Sequence, residues 1–85
     1  MKHAGATALD QLEPLLERIR ALPGLKERSR GVFYRGGKAF LHFHEDSTGL
    51  FADVRLEGVD FVRFRVGTEG DREAFLALVS EGLPQ

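Results

Sequence analysis

Between Gly31 and Val66 the chain is written as short extended runs separated by links that leave room only for hairpins. The runs are Gly31–Arg35, Lys38–His44, Leu50–Leu56 and Phe61–Val66. Gly36-Gly37 makes a two-residue turn. Asp46-Ser47-Thr48-Gly49 supplies the next turn, and a link at about Glu57–Asp60 the last. A parallel crossover needs a dozen residues or more, so strands joined this closely are antiparallel neighbours. The pattern predicts a four-stranded antiparallel meander.

Helical periodicity flanks the meander. Leu9, Leu12, Leu16 and Ile19 recur at three- and four-residue spacing, which predicts a helix from about Thr7 or Asp10 to Leu22. Asp10 and Glu13 read as a capping box, which would place Pro14 in the first turn; a start at Thr7 would put Pro14 deeper. Pro23-Gly24 ends that helix. A second helix is expected from about Glu69 to Glu81, capped by Thr68, with Phe75, Leu78, Val79 and Ala74 as its apolar stripe. Gly82 reads as its C-cap, with Pro84 beyond. Residues 1–6 read as a disordered end. The expected whole is one α+β domain over residues 1–85, a two-layer sandwich of order α-β-β-β-β-α. A chain of this size buries only about 60–65% of its unfolded surface, so its stability margin is thin.

The absence of cysteine excludes disulfides and thiolate zinc sites. No apolar run approaches the ~20 residues of a membrane helix, and the first ten residues lack the apolar stretch of a secretion signal. The expected setting is cytoplasmic, with no membrane partner. Twelve Lys and Arg stand against thirteen Asp and Glu, which disfavours a dedicated nucleic-acid binder. Basic residues do concentrate at Lys26, Arg28, Arg30, Arg35 and Lys38.

Side chains alternate across a strand, so tight turns also assign faces. One face collects Val32, Tyr34, Ala39, Leu41, Phe43, Leu50, Ala52, Val54, Leu56, Val62, Phe64 and Val66, nearly all apolar, for the helices to cover. The other collects Phe33, Arg35, Phe40, His42, His44, Phe51, Asp53, Arg55, Phe61, Arg63 and Arg65. Around the Asp46–Gly49 turn, His44 should face Phe51, His42 should face Asp53 and Phe40 should face Arg55. The last hairpin leaves open whether Asp53 faces Arg63 or Arg65. Four Phe are costly to leave wet, and aromatic residues with Arg but no Lys are an interface composition.

His42-Phe43-His44 points two imidazoles the same way, and Asp53 opposite could complete a two-His, one-carboxylate metal set. Gly36 followed by His42-x-His44 imitates the start of the cupin metal motif, but Thr48 or Gly49 stands where cupins carry Glu. The simpler reading pairs His42 with Asp53 in a semi-polar interface, with no metal and no cofactor. His42–Asp53 also resembles a general base and its orienting group, but Ser29, Ser47 and Ser80 lie in no nucleophile setting. Arg55, Arg63 and Arg65, with Arg35 at the rim, suit a phosphate or carboxylate, and Phe beside Arg on an open sheet suits single-stranded nucleic acid.

The Leu22-Pro23-Gly24-Leu25 helix exit, Gly31-Val32-Phe33-Tyr34-Arg35, Lys38-Ala39-Phe40-Leu41-His42-Phe43-His44, Phe51-Ala52-Asp53-Val54-Arg55 and the closing helix resemble small bacterial proteins and the "luciferase-like" domain. More distantly the chain is similar to the YjbR-like group, small helix-flanked antiparallel sheets. The resemblance covers most of residues 20–80 and implies the same α+β sheet, with no catalytic set. The leading reading is a non-enzymatic domain that associates, most simply as a homodimer, through Phe40, His42, His44, Phe51, Asp53, Arg55, Phe61, Arg63 and Arg65. The alternatives are a small anionic-ligand or metal binder using His42, His44, Asp53 and the sheet arginines Arg55, Arg63 and Arg65, and a nucleic-acid accessory domain using Arg28, Arg30, Arg35, Lys38 and those same sheet arginines.

Overall fold

A computed structural model describes residues 1–57 and 60–83. The chain runs β1 (Lys2–His3), α1 (Ala6–Arg20), β2 (Leu25–Ser29), β3 (Val32–Arg35), β4 (Lys38–Asp46), β5 (Gly49–Val54), β6 (Val62–Arg65) and α2 (Glu69–Gly82). The expected α+β class and antiparallel sheet are present, with six strands among the described residues rather than four. Strands β2 to β6 lie side by side in chain order, and β1 pairs separately with β4. Part of the link expected at Glu57–Asp60, and Pro84, lie outside the described residues. Among the described residues, no helix is long and apolar enough to cross a membrane.

Helix α1 begins earlier than the capping box implied. Gly5 is its N-cap without a side-chain cap, and its N–H donates instead to Glu45 Oε2 at 2.6 Å. Asp10 lies inside the helix and accepts from Arg30 at 2.8 Å, and Pro14 is interior. The apolar stripe holds: Leu12, Leu16 and Ile19 have no exposed surface, Ala8 and Leu15 join them, and Leu9 packs at the edge. The helix stops at Arg20, two residues short of Leu22, and Leu22 N–H turns back to the Ile19 carbonyl at 3.0 Å. Helix α2 matches expectation at its start, where Thr68 Oγ1 accepts from Asp71 N–H at 3.0 Å. Gly82 ends inside α2, and Leu83 is the C-cap. A Cβ on Gly82 would meet Leu56 Cδ2 at 2.6 Å, so closeness to Leu56 is what this position requires.

Two strands have no alternating apolar signal. Strand β2, Leu-Lys-Glu-Arg-Ser, is a charged sheet edge, a composition that discourages pairing with another chain. Glu27 faces α1, where it accepts from Arg20 at 2.5 and 3.1 Å and from Gly31 N–H at 2.8 Å. Strand β1 occupies the edge of β4 beyond the end of β3, with Lys2 opposite Glu45 and His3 opposite His44. Ala4 N–H donates to the Phe43 carbonyl at 3.0 Å. The N-terminal segment expected to be disordered is therefore part of the sheet.

The β3–β4 hairpin corrects the face assignment. Arg35 faces Lys38 and Tyr34 faces Ala39, but Phe33 faces Leu41. Phe40 is the extra residue of a β-bulge, and one extra residue exchanges the faces before it. Phe33 thus joins Leu41 in the core at 1% exposure, and Phe40 joins the core cluster at 3%. Neither lies on the open face. Val32 and Tyr34, adjacent to Phe33, leave the core face, and Arg28 sits 4.8 Å from the centre of the Tyr34 ring. Beyond the bulge the assignment stands except at Val62, which lies opposite Val54 on that face but is 54% exposed at the sheet's far edge, uncovered by the helices. Leu41, Phe43, Ala52, Val54 and Val66 are buried against Leu12, Leu16 and Ile19 of α1 and Phe75 and Val79 of α2. Full burial of each such side chain contributes about 1.5–3 kcal/mol.

Candidate metal centre

The open face is organised by three neighbouring strands. In the β4–β5 register His42 faces Asp53 and His44 faces Phe51, as the turn implied. In β5–β6, Asp53 faces Arg63 and Phe51 faces Arg65, which resolves the last hairpin. Asp53 is the buried charged residue of this face at 6% exposure. Arg63 binds it through two parallel hydrogen bonds, Nε to Oδ1 at 2.7 Å and Nη2 to Oδ2 at 2.8 Å. A bidentate guanidinium favours the ionised carboxylate. That bond holds the Asp53 pKa below its usual value, against the opposing effect of burial.

Asp53 also lies beside a histidine, but it is His44 rather than the expected His42. Its Oδ2 lies 3.2 Å from His44 Nε2, within ion-pair reach though not aligned as a hydrogen bond. His42 packs against the Phe61 ring with centroids 4.7 Å apart. Burial, then the neighbouring His44, pushes the His42 pKa below its usual value, with Asp53 opposing.

A third imidazole completes the group. His3, placed opposite His44 by β1, stacks on it at 4.7 Å and lies 5.8 Å from His42. One nitrogen from each of His3, His42 and His44 falls within 4.8 Å of the others. His42 Nδ1 and both nitrogens of His44 are buried without a hydrogen-bond partner. Nitrogens sharing a tetrahedral zinc stand about 3.3 Å apart, given Zn–N bonds of about 2.0–2.1 Å. Closure thus asks for a shift of roughly 1.5 Å, and exposed His3 on its two-residue strand can supply it. Asp53 Oδ2 beside His44 Nε2 places a carboxylate next to one of the three imidazoles, without an aligned hydrogen bond between them.

The remaining expected site residues divide. Phe51 and Phe61 lie on the open face, each under an arginine: Arg65 is 5.1 Å from the Phe51 ring centre and Arg55 is 4.8 Å from that of Phe61. Arg65 also reaches the Thr48 carbonyl at 3.4 Å. Arg63 is committed to Asp53, and Arg30 to Asp10 and Glu13, which removes one cation each from the anion and nucleic-acid readings. Phe40 is absent from the group, and His3 is the member that sequence patterning missed. A two-residue strand has no measurable alternation, so the one available signal was a third histidine in the chain.

No family model matches the chain, and neither curated proteins nor solved structures give a match.

Proposed function

We propose that this domain binds a divalent transition-metal ion through His3, His42 and His44. The carrying observation is the pair of histidines whose buried ring nitrogens have no hydrogen-bond partner while a third imidazole stands beside them. Buried polar atoms left unpaired are costly, and a metal ion would satisfy one nitrogen on each ring. Three imidazole ligands suit zinc, nickel, cobalt or copper better than magnesium or calcium. Asp53, held by Arg63, would fix the ring of His44 from behind.

Titration with Zn²⁺, Ni²⁺ and Co²⁺, followed by calorimetry and thermal melting, tests the proposal. Saturable one-to-one binding should be lost in His42→Ala and His44→Ala and weakened about 10–100-fold in Asp53→Asn. An unchanged melting curve and no heat in the parent protein would end it.

Self-association through the same face is the second reading. Phe51 and Phe61 beneath Arg65 and Arg55 support it, since aromatic residues with Arg are enriched at interfaces. With Phe33 and Phe40 in the core, half of the four-Phe surface that motivated it is gone. Light scattering across a concentration series decides: a dimer that Phe61→Glu converts to a folded monomer supports it, and a monomeric parent ends it.

A further inference from the structure

The two end strands of the sheet are finished differently. In β2, Lys26, Glu27 and Arg28 put charge on consecutive positions, so both faces of that edge are polar. Strand β6 is the other end strand, and among the described residues no strand pairs with its outer edge. Its sequence, Val-Arg-Phe-Arg, alternates instead. Val62 and Phe64 take the helix side, and Arg63 and Arg65 take the open side.

The backbone of this edge is turned outward at the arginines. Val66 N–H donates inward to the Leu50 carbonyl at 3.0 Å. Hydrogen-bonded and non-hydrogen-bonded pairs alternate along an antiparallel ladder. Val62 and Phe64, opposite Val54 and Ala52, therefore bond to β5, and the N–H and C=O groups of Arg63 and Arg65 point away from it. Beside the edge, between β6 and α2, lies a groove of about 340 Å³ lined by Phe64, Ala74, Phe75 and Leu78, with Arg65 and Asp71 also in its lining. Val62, on the same face as Phe64, is 54% exposed. A strand added to β6 would send alternate side chains toward this apolar groove and the others to the open face.

Charge selects the occupant. On the open face an added strand meets Arg63, which Asp53 neutralises, and Arg65, which lies over Phe51 and donates to the Thr48 carbonyl. A second copy paired antiparallel through the same outward groups would set Arg63 and Arg65 of the two copies against each other, and like charges directly opposite are destabilising. Acidic side chains at those positions would be attracted. Asp71, on the helix side, disfavours an acid in the groove, so a segment slipped by one residue would fit neither face.

We propose that the outer edge of β6 receives an extended segment of a partner protein in which apolar and acidic residues alternate. The apolar residues fill the groove against Phe64 and Leu78, and the acidic ones lie beside Arg65. The site does not depend on metal binding by the histidines.

The test is titration of the full chain with a blocked octapeptide of alternating Glu and Val and with its Lys–Val counterpart, read by amide NMR shifts and hydrogen exchange. The Glu–Val peptide should bind saturably, slow exchange of the Arg63 and Arg65 amides, and shift Phe64, Ala74 and Leu78. Arg65→Glu, at an exposed position, should weaken that binding severalfold and admit the Lys–Val peptide. Ala74→Glu, exposed on α2, should weaken it through the groove without touching the Arg65 contacts. Absence of saturable shifts overturns the proposal, as does equal affinity for the two peptides. Slow exchange of the Arg63 and Arg65 amides in the protein alone, growing with its concentration, overturns it in favour of a second copy.

Discussion

The two faces of the sheet share β4, β5 and β6, yet they are built by opposite rules. On the helix side Leu41, Phe43, Ala52 and Val54 meet the helices with almost no exposed surface and no polar group among them. On the other side the same strands carry His42, His44, Asp53 and Arg63, where two directed bonds tie Arg63 to Asp53 beside the His44 ring. The comparison teaches where specificity resides. The apolar side is held by burial, which is non-directional. The polar side tolerates only arrangements that leave Asp53 paired.

The comparison breaks most sharply at Phe33. If it belongs to the core, Phe33→Glu places a carboxylate among apolar side chains and should remove more than about 4 kcal/mol, enough to unfold so small a domain. Circular dichroism would show the loss of structure. A folded Phe33→Glu protein of near-parent stability would return Phe33 to the open face and refute the bulge.

Asp53→Ala probes the polar side. It strips Arg63 and His44 of their shared partner and should cost about 1–3 kcal/mol in urea melts. Arg63 stays 47% exposed and can turn to water, so the loss should fall below that of Phe33→Glu. A cost as large as that of Phe33→Glu would mean that the open face carries the fold as fully as the core does.

The smallest expected effect is a dependence on pH. The His42 pKa is lowered in the folded state, so the unfolded chain binds its proton more readily. Stability from this group is therefore fully present above the unfolded value near 6.5 and declines as pH falls through the lower folded value. His44 and His3 beside it, with Asp53 and Arg63, set the field it feels. Urea melts between pH 7.5 and 5 should show the decline in the parent and a flatter profile in His42→Gln. Equal slopes in both would remove His42 as the cause.

The parts of this architecture that were legible were those written in short-range chemistry. The Asp46–Gly49 turn sets the β4–β5 register, so His42 opposite Asp53 and His44 opposite Phe51 could be read before any coordinates. Thr68 announced its helix in the same way. Strand β2 was hidden because its charged side chains serve a sheet edge and an ion pair with Arg20, neither of which leaves an apolar alternation. His3 was hidden because pairing with β4 is a tertiary event, with two residues on one side of it. The capping box at Asp10 was a local signal overridden by Gly5 and Glu45, forty residues apart in the chain. The His44–Asp53 contact also escaped, since strand alternation assigns a face and leaves side-chain direction within that face undetermined.

The bulge at Phe40 makes the sheet a text in two phases. The two-residue turn alone would set odd positions of β3 opposite even positions of β4; with the bulge, odd-numbered Glu27 and Phe33 share a face with odd-numbered Leu41, while Val54 on the next strand is even. Loss of one residue here would act as a frameshift in space, leaving downstream strands intact while turning the whole β2–β3 hairpin inside out. Glu27 would then face water, Tyr34 would face the helices, and Arg35 would part from the Phe40 ring, whose centre lies 5.7 Å away. A single backbone irregularity thus keeps two otherwise independent stretches of sequence in step, and neighbouring substitutions can be judged only in the phase to which they belong.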